Sequence, residues 1–151
     1  MEMDARTRIV VIKQPCLLRQ VLIERLVQER DLSLVGVCAH LKSAVMWIRN
    51  HKPHVVVVDL SFEKALGLIF IRTLKKKFSD TGVVACACNL LVSDMYTRLT
   101  QKAGADALVV TSDGLDGLID AIRCVNLGRG DTNGPEQVLR KGRDGQGNIF
   151  Q

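Results

Sequence analysis

The chain has 151 residues, of which 47% are hydrophobic and 25% are charged, and this size and composition are typical of one globular domain with a hydrophobic core. No apolar run is long enough to span a membrane, and the polar amino-terminal stretch MEMDARTR lacks the apolar segment of a secretory signal. We therefore expect a cytoplasmic protein rather than a membrane or secreted one.

The formal net charge of +5 is compatible with nucleic-acid binding, but the basic residues are only weakly clustered. The densest basic run, residues 75–77, lies at the end of a predicted helix, where cations complement the helix dipole. One Trp, one Tyr and four Phe offer little surface for base stacking. We expect no specific nucleic-acid binding by this domain alone.

Five cysteines are scattered along the chain without a C-x-x-C motif, and no histidine lies at metal-ligand spacing. Cys86 and Cys88 are two residues apart, which would place both side chains on one face of a strand. A redox pair is one interpretation, but same-face neighbours seldom have disulfide geometry, which favours small core side chains. We therefore expect reduced thiols and no metal site.

Short apolar runs alternate along the chain with longer segments at helical spacing. The first run, RIVVI, is rich in β-branched residues and is typical of a strand buried on both faces. The predicted strands are residues 8–12, 33–37, 54–58, 82–86 and 107–110. The predicted helices are residues 17–27, 41–50, 66–78, 91–103 and 115–127, and Asp113 before Gly114 is a start signal for the last of them. The first helix carries an apolar stripe made of Leu17, Leu18, Val21, Leu22, Leu26 and Val27.

This fivefold βα repeat predicts an α/β fold, because right-handed crossovers between parallel strands place helices on both faces of a sheet. We expect a doubly wound five-stranded parallel sheet in residues 8–127, preceded by a short extension in residues 1–7. Residues 128–151 are rich in glycine and mixed charges and are interpreted as a flexible tail or linker. They could be the natural end of the chain or the start of a connection to a second domain.

The order of these segments resembles the receiver domains of bacterial two-component response regulators, and most closely the subgroup joined to LuxR/NarL-type helix-turn-helix domains. The resemblance extends from residue 8 to about residue 129, and it is carried by RIVVIKQPCLLRQVL, PHVVVVDL, LIFIRTLKKKFSDTGVV after Gly67, KAGADALVV and LIDAIRCVNLG. It implies the receiver (flavodoxin-like) fold. It also implies a homodimer, formed either by the fourth helix, fifth strand and fifth helix or by the first and fifth helices, and an attached or partner DNA-binding unit.

In that family an aspartate at the end of the third strand accepts a phosphoryl group, and this position corresponds to Asp59. Two acidic residues that help to hold Mg²⁺ follow the first strand, where this chain has Lys13 and Gln14. A Ser or Thr follows the fourth strand and a Lys follows the fifth, where this chain has Ala87 and Thr111. The chain therefore keeps only the phosphoacceptor position of the family's phosphorylation site.

These replacements predict a degenerate receiver. Mg²⁺ is held in proteins mainly by carboxylates, so Lys13 repels it and the Mg²⁺ site is expected to be lost. The chain lacks the metal, the family's lysine after the fifth strand and the family's hydroxyl after the fourth strand. Most of the electrostatic stabilisation of phosphoryl transfer is therefore missing. We expect no enzymatic activity. We also expect the Lys13 side chain to occupy the space that Mg²⁺ fills in the family and to pair with Asp59. At the aromatic switch position of the fifth strand the chain has Leu108.

The function that follows is a signalling and protein-interaction module, with an output in transcriptional regulation that does not require aspartyl phosphorylation. One alternative is a receiver that is still phosphorylated on Asp59. Another is a domain that senses a small molecule in the crevice at the carboxyl ends of the parallel strands. The sequence has neither a G-x-G-x-x-G motif nor a P-loop. Tyr96 is a candidate for a surface interface.

Overall fold

The computed structural model describes residues 5–60, 64–87, 94–112, 114–128 and 147–149. These residues form strands and helices in alternation, followed by one further strand. The elements are β1 (Thr7–Ile12), α1 (Leu17–Gln28), β2 (Leu32–Cys38), α2 (Leu41–His51), β3 (Val55–Asp59), α3 (Lys64–Lys77), β4 (Gly82–Ala87), α4 (Asp94–Ala103), β5 (Ala107–Val110), α5 (Asp116–Gly128) and β6 (Gly147–Ile149).

The strands lie in the order β2-β1-β3-β4-β5-β6, so β1 and β3 are neighbours at the centre of the sheet. The first five strands are parallel, which confirms the predicted doubly wound sheet. The valines of β3 are fully buried, because a central strand in this architecture is covered by helices on both faces.

The core consists of two apolar clusters, one on each face of the sheet. One cluster receives side chains from α2, α3 and α4, including Ile48 and Ile71. The other receives side chains from α1 and α5, including Leu26 and Ile122. The prediction of helices on both faces is therefore confirmed.

The apolar stripe predicted for α1 is only partly buried. Leu22 and Leu26 face the core, whereas Leu17, Leu18 and Val21 are 77%, 55% and 45% exposed. Since α1 packs one narrow face against the sheet, apolar side chains on either side of that face remain in contact with solvent. Of the six stripe residues, the sheet therefore buries only Leu22 and Leu26.

Strand β6 was not predicted. Residues 147–149 fell within the expected flexible tail, but they pair antiparallel with β5 and extend the sheet to six strands. Gly128, also assigned to the tail, is the last residue of α5. A three-residue strand has no periodicity of its own and depends on pairing with a distant strand, so the local pattern did not reveal it.

Some sequence-based expectations lie outside the described residues. They are Cys88, the start of the helix expected at residue 91, and the helix-start signal at Asp113. Within the described ranges, every helix is too short or too polar to cross a membrane.

Candidate functional site

The candidate site lies where β1 and β3 end, at the carboxyl edge of the sheet. Ile12 of β1 is the register partner of Val58 of β3, so the residues that follow, Lys13 and Asp59, leave the sheet side by side. Both are buried, with relative exposures of 8% and 4%. The strand order therefore brings together the two residues that the sequence predicted to pair.

Lys13 and Asp59 form a direct ion pair. The Lys13 Nζ atom donates a hydrogen bond to Asp59 Oδ2 at 2.5 Å. The backbone of Lys13 is held as well, because its N–H donates to the carbonyl of Cys38 at 2.9 Å and its carbonyl accepts from Arg19 Nη1 at 3.2 Å. β2 and α1 thus fix the starting point of the side chain, and the predicted pairing is confirmed.

The ammonium group of Lys13 stays charged in this setting. Burial alone would lower its pKa, but the hydrogen bond and the attraction from Asp59 outweigh burial, so the pKa is raised above its ordinary 10.5. A charged lysine beside a buried carboxylate satisfies a group that would otherwise carry a large desolvation cost. At neutral pH the site therefore holds its own cation.

The side chains described at this edge do not fit Mg²⁺. The ammonium of Lys13 occupies one oxygen of Asp59, and Gln14 is exposed and offers a neutral amide instead of a carboxylate. Among the described residues, no three His, Cys, Asp or Glu side chains are grouped closely enough to hold a metal ion. The donor set at this edge favours a tethered ammonium over a divalent cation.

Ala87 and Thr111 meet on the other side of the crevice, where β4 and β5 end. The Thr111 N–H donates to the Ala87 carbonyl at 2.8 Å, and the Thr111 hydroxyl donates to the same oxygen at 3.3 Å. These bonds tie the two strand ends together. At the position where the resemblance implies a phosphoryl-binding lysine, Thr111 therefore bonds to the backbone carbonyl of Ala87.

Tyr96 is buried beside the crevice, which corrects the idea that it serves a surface interface. Burial raises the pKa of its phenol to about 12, and the negative charge of Asp59 acts in the same direction. The side chain belongs to the same apolar cluster as Leu108, which is itself buried. Tyr96, Thr100 and Ala103 form the buried stripe of α4, and their i, i+4, i+7 spacing was the signal for burial.

Curated relatives match this chain over its βα repeat. Response regulator GacA of Pseudomonas protegens is 30% identical over 122 residues, which are 81% of this chain and 56% of the relative. The DNA-binding transcriptional activator EvgA of Escherichia coli K12 is 25% identical over 107 residues, covering 70% of this chain and 51% of the relative. A protein-glutamate methylesterase/protein-glutamine glutaminase of Shewanella is 31% identical over 100 residues, covering 66% and 25%. The chain thus spans about a quarter to just over half of the length of these relatives, and no protein-family model matches it.

Solved structures show the fold. A two-component response regulator of the LuxR family from Aurantimonas superposes with a TM-score of 0.72 at 20% identity, covering 87% of this chain and 96% of that one. The response regulator domain of Thermotoga maritima CheB gives a TM-score of 0.70 at 20% identity, with coverages of 81% and 97%. The chain therefore has the α/β fold of response-regulator receiver domains.

Proposed function

We propose that this chain is a receiver domain that works as a protein-interaction module in transcriptional regulation, without Mg²⁺-dependent phosphorylation of Asp59. The receiver fold and the similarity to GacA and EvgA support the general assignment. The ion pair between Lys13 and Asp59 is the observation that carries the more specific part of the proposal.

Phosphorylation of a carboxylate needs a free oxygen to attack phosphorus and positive charge to stabilise the equatorial oxygens in the transition state. In this chain the Oδ2 atom of Asp59 accepts a hydrogen bond from Lys13, and both side chains are buried. The Lys13 ammonium already neutralises this carboxylate, and the side chains described at this edge do not supply the carboxylates that hold Mg²⁺ in proteins. The pair therefore favours one constant state of the crevice over a cycle of phosphorylation.

The output is proposed to pass through a neighbouring protein surface. The chain spans about half of the length of GacA and EvgA, and EvgA is a DNA-binding transcriptional activator. We propose that an attached or partner DNA-binding domain supplies the transcriptional output, and that two copies of the receiver associate to position it. The exposed apolar residues of α1 are the described surface that best supports such an association.

The direct test is incubation with acetyl phosphate, or with beryllofluoride, in the presence of Mg²⁺. The proposal predicts no adduct at Asp59 by intact-protein mass spectrometry or by NMR of the crevice residues. A positive control is the variant that restores the family's site, with Lys13→Asp, Gln14→Asp, Ala87→Ser and Thr111→Lys. An adduct in the unsubstituted chain that disappears in Asp59→Asn would show a phosphorylatable receiver and would overturn the proposal.

A further inference from the structure

The outer edge of β5 is covered by the chain itself. On its inner side β5 pairs in parallel with β4, and on its outer side it pairs antiparallel with β6. The register places Ile149 opposite Ala107, Asn148 opposite Leu108 and Gly147 opposite Val109. Residues 129–146 separate this strand from the end of α5 in the sequence.

Without β6, β5 would be the edge strand of the sheet. Its sequence, ALVV, has no charge and no proline, and Ala107, Leu108 and Val109 are almost completely buried. Unpaired N–H and C=O groups along an apolar strand of this kind form a template for pairing with another chain. A protein that lacks charges or a proline on such an edge needs another way to block it.

Strand β6 is short, so it can separate from β5 at low cost. It consists of Gly, Asn and Ile and pairs with β5 at three register positions. α5 lies next to it and adds a second neighbour besides β5. Short edge strands open at low free-energy cost, because only a few backbone pairings are lost.

We propose that the outer edge of β5 is a docking edge for an extended antiparallel segment, and that the chain's own residues 147–149 occupy it and keep a second copy from pairing there. This inference depends on strand pairing and not on the state of Asp59, so it is independent of the proposed function. It also restricts self-association to surfaces other than the β5 edge.

The test opens the edge in the 151-residue chain with two prolines, Gly147→Pro and Asn148→Pro. Neighbouring residues of a strand turn their N–H groups to opposite sides, so two consecutive prolines remove a donor toward β5 in either orientation. The matched control carries Gly134→Pro and Gln137→Pro, which place a glycine and an amide substitution in the same terminal segment. A second variant that lacks residues 147–151 repeats the test without proline.

Hydrogen–deuterium exchange of residues 107–110 and the mass from light scattering are the two measurements. We expect the edge variants to exchange at least about tenfold faster in β5 and to reach a higher mass than the unsubstituted chain and the control at the same concentration. An excess of the peptide DGQGNIFQ, which corresponds to residues 144–151, should restore protection and suppress the added association. Unchanged exchange would overturn the docking of 147–149. Faster exchange without added association would overturn the exclusion of a second copy.

Discussion

The pair of Lys13 and Asp59 shows how one substitution in sequence changes the chemistry of a strand end. A buried carboxylate needs a positive partner, and here that partner is a side chain 46 residues away, delivered by the adjacent strand. The ammonium group of Lys13 is attached to the chain near Asp59, so its effective concentration there is higher than that of a metal ion in solution. The crevice is therefore satisfied without an external ligand.

The first prediction concerns the energy of this pair. Removing one partner leaves a buried charge, so Lys13→Ala and Asp59→Ala should each lower the free energy of unfolding by about 2–4 kcal/mol. The double variant should lose at least about 1 kcal/mol less than the sum of the two, because its second substitution no longer breaks a pair. Urea unfolding of the four proteins measures this coupling. The exposed contact between Gln20 and Glu24 provides a control cycle, in which we expect nearly additive losses.

The pH dependence of the same pair has a defined sign. Because the pKa of Lys13 is raised in the folded state, the stability it contributes is fully present below its ordinary pKa of 10.5 and is lost as pH rises through the folded value. The difference in unfolding free energy between the unsubstituted chain and Lys13→Ala should therefore be constant at neutral pH and shrink only in strongly alkaline solution. A difference that already disappears below pH 10.5 would contradict a raised pKa.

The second prediction uses Tyr96, which is the only tyrosine of the chain and so can be titrated by its absorbance. We expect its phenol to titrate near pH 12 in the folded protein and near its ordinary 10.0 in urea. Asp59→Asn removes a nearby negative charge, so it should lower the pKa of Tyr96. Asp120→Asn on the exposed side of α5 is the control and should leave it unchanged. A phenol that titrates at 10.0 in the folded protein would show that Tyr96 is not buried beside Asp59.

Among the helices, α1 and α5 are joined by a cluster of charged side chains. Arg123 of α5 contacts Glu29 Oε1 at 2.6 Å and Asp31 Oδ1 at 2.8 Å, so it links α5 to the segment between α1 and β2. Arg25 contacts the same Glu29 and also Asp116 at the start of α5. These residues are at least partly exposed, so each contact contributes little stability on its own.

The third prediction is that Arg123→Met lowers the melting temperature by a few degrees at neutral pH. The hydrogen bonds from Arg123 lower the pKa of Glu29 and of Asp31. Their stabilisation is therefore present above the ordinary values of 4.5 and 3.8 and is lost as pH falls. The melting temperatures of the variant and the unsubstituted chain should converge in acid, and thermal unfolding monitored by circular dichroism between pH 2 and 7 tests this. A constant difference across that range would mean that Arg123 stabilises the fold through packing alone.

The helices and strands differ in how well the sequence predicted them. The five parallel strands and the five helices were predictable, because buried valine and isoleucine runs alternate with segments of helical period. The exposure of Leu17 and Leu18 was not, since apolar spacing shows a stripe but not how wide a face the sheet covers. The contacts of Arg123 and the pairing of β6 were also not predictable, because they join residues far apart in the chain.

For the chain as a whole, the order of the strands made the candidate site predictable. The family resemblance implies that the first strand lies beside the third, so a lysine and an aspartate that follow these strands are expected to lie near each other, and the sheet has this order. The burial of Tyr96 next to Asp59 depends on how α4 packs over the sheet, which residue types alone do not specify. The pairing of Lys13 and Asp59 was thus predictable because both residues lie at strand ends. The position of Tyr96 was not, because it lies on a helix.

The fourth prediction is that the chain does not bind DNA in a sequence-specific way. Its five described helices are all part of the βα repeat, and none is placed as a recognition helix with a supporting turn. The positive charge allows weak binding that salt weakens, because released counterions drive it. Fluorescence anisotropy with random and genomic fragments should show the same affinity for all of them. Saturable binding of one sequence against competitor DNA at physiological salt would contradict the prediction.

The fifth prediction is that two copies associate through α1, next to α5. Leu17, Leu18 and Val21 form an exposed apolar patch at the start of α1, whereas the outer edge of β5 is occupied by β6. A symmetric interface needs a self-complementary patch, and an apolar helix surface that packs against its own copy satisfies that condition.

The mass from light scattering should rise toward that of a dimer with increasing concentration, and Val21→Asp should shift the protein to a monomer by burying a charge in the contact. Met46→Asp places the same charge on the exposed side of α2 and should leave the association unchanged. Equal masses for Val21→Asp and the unsubstituted chain at every concentration would show that α1 does not form the contact.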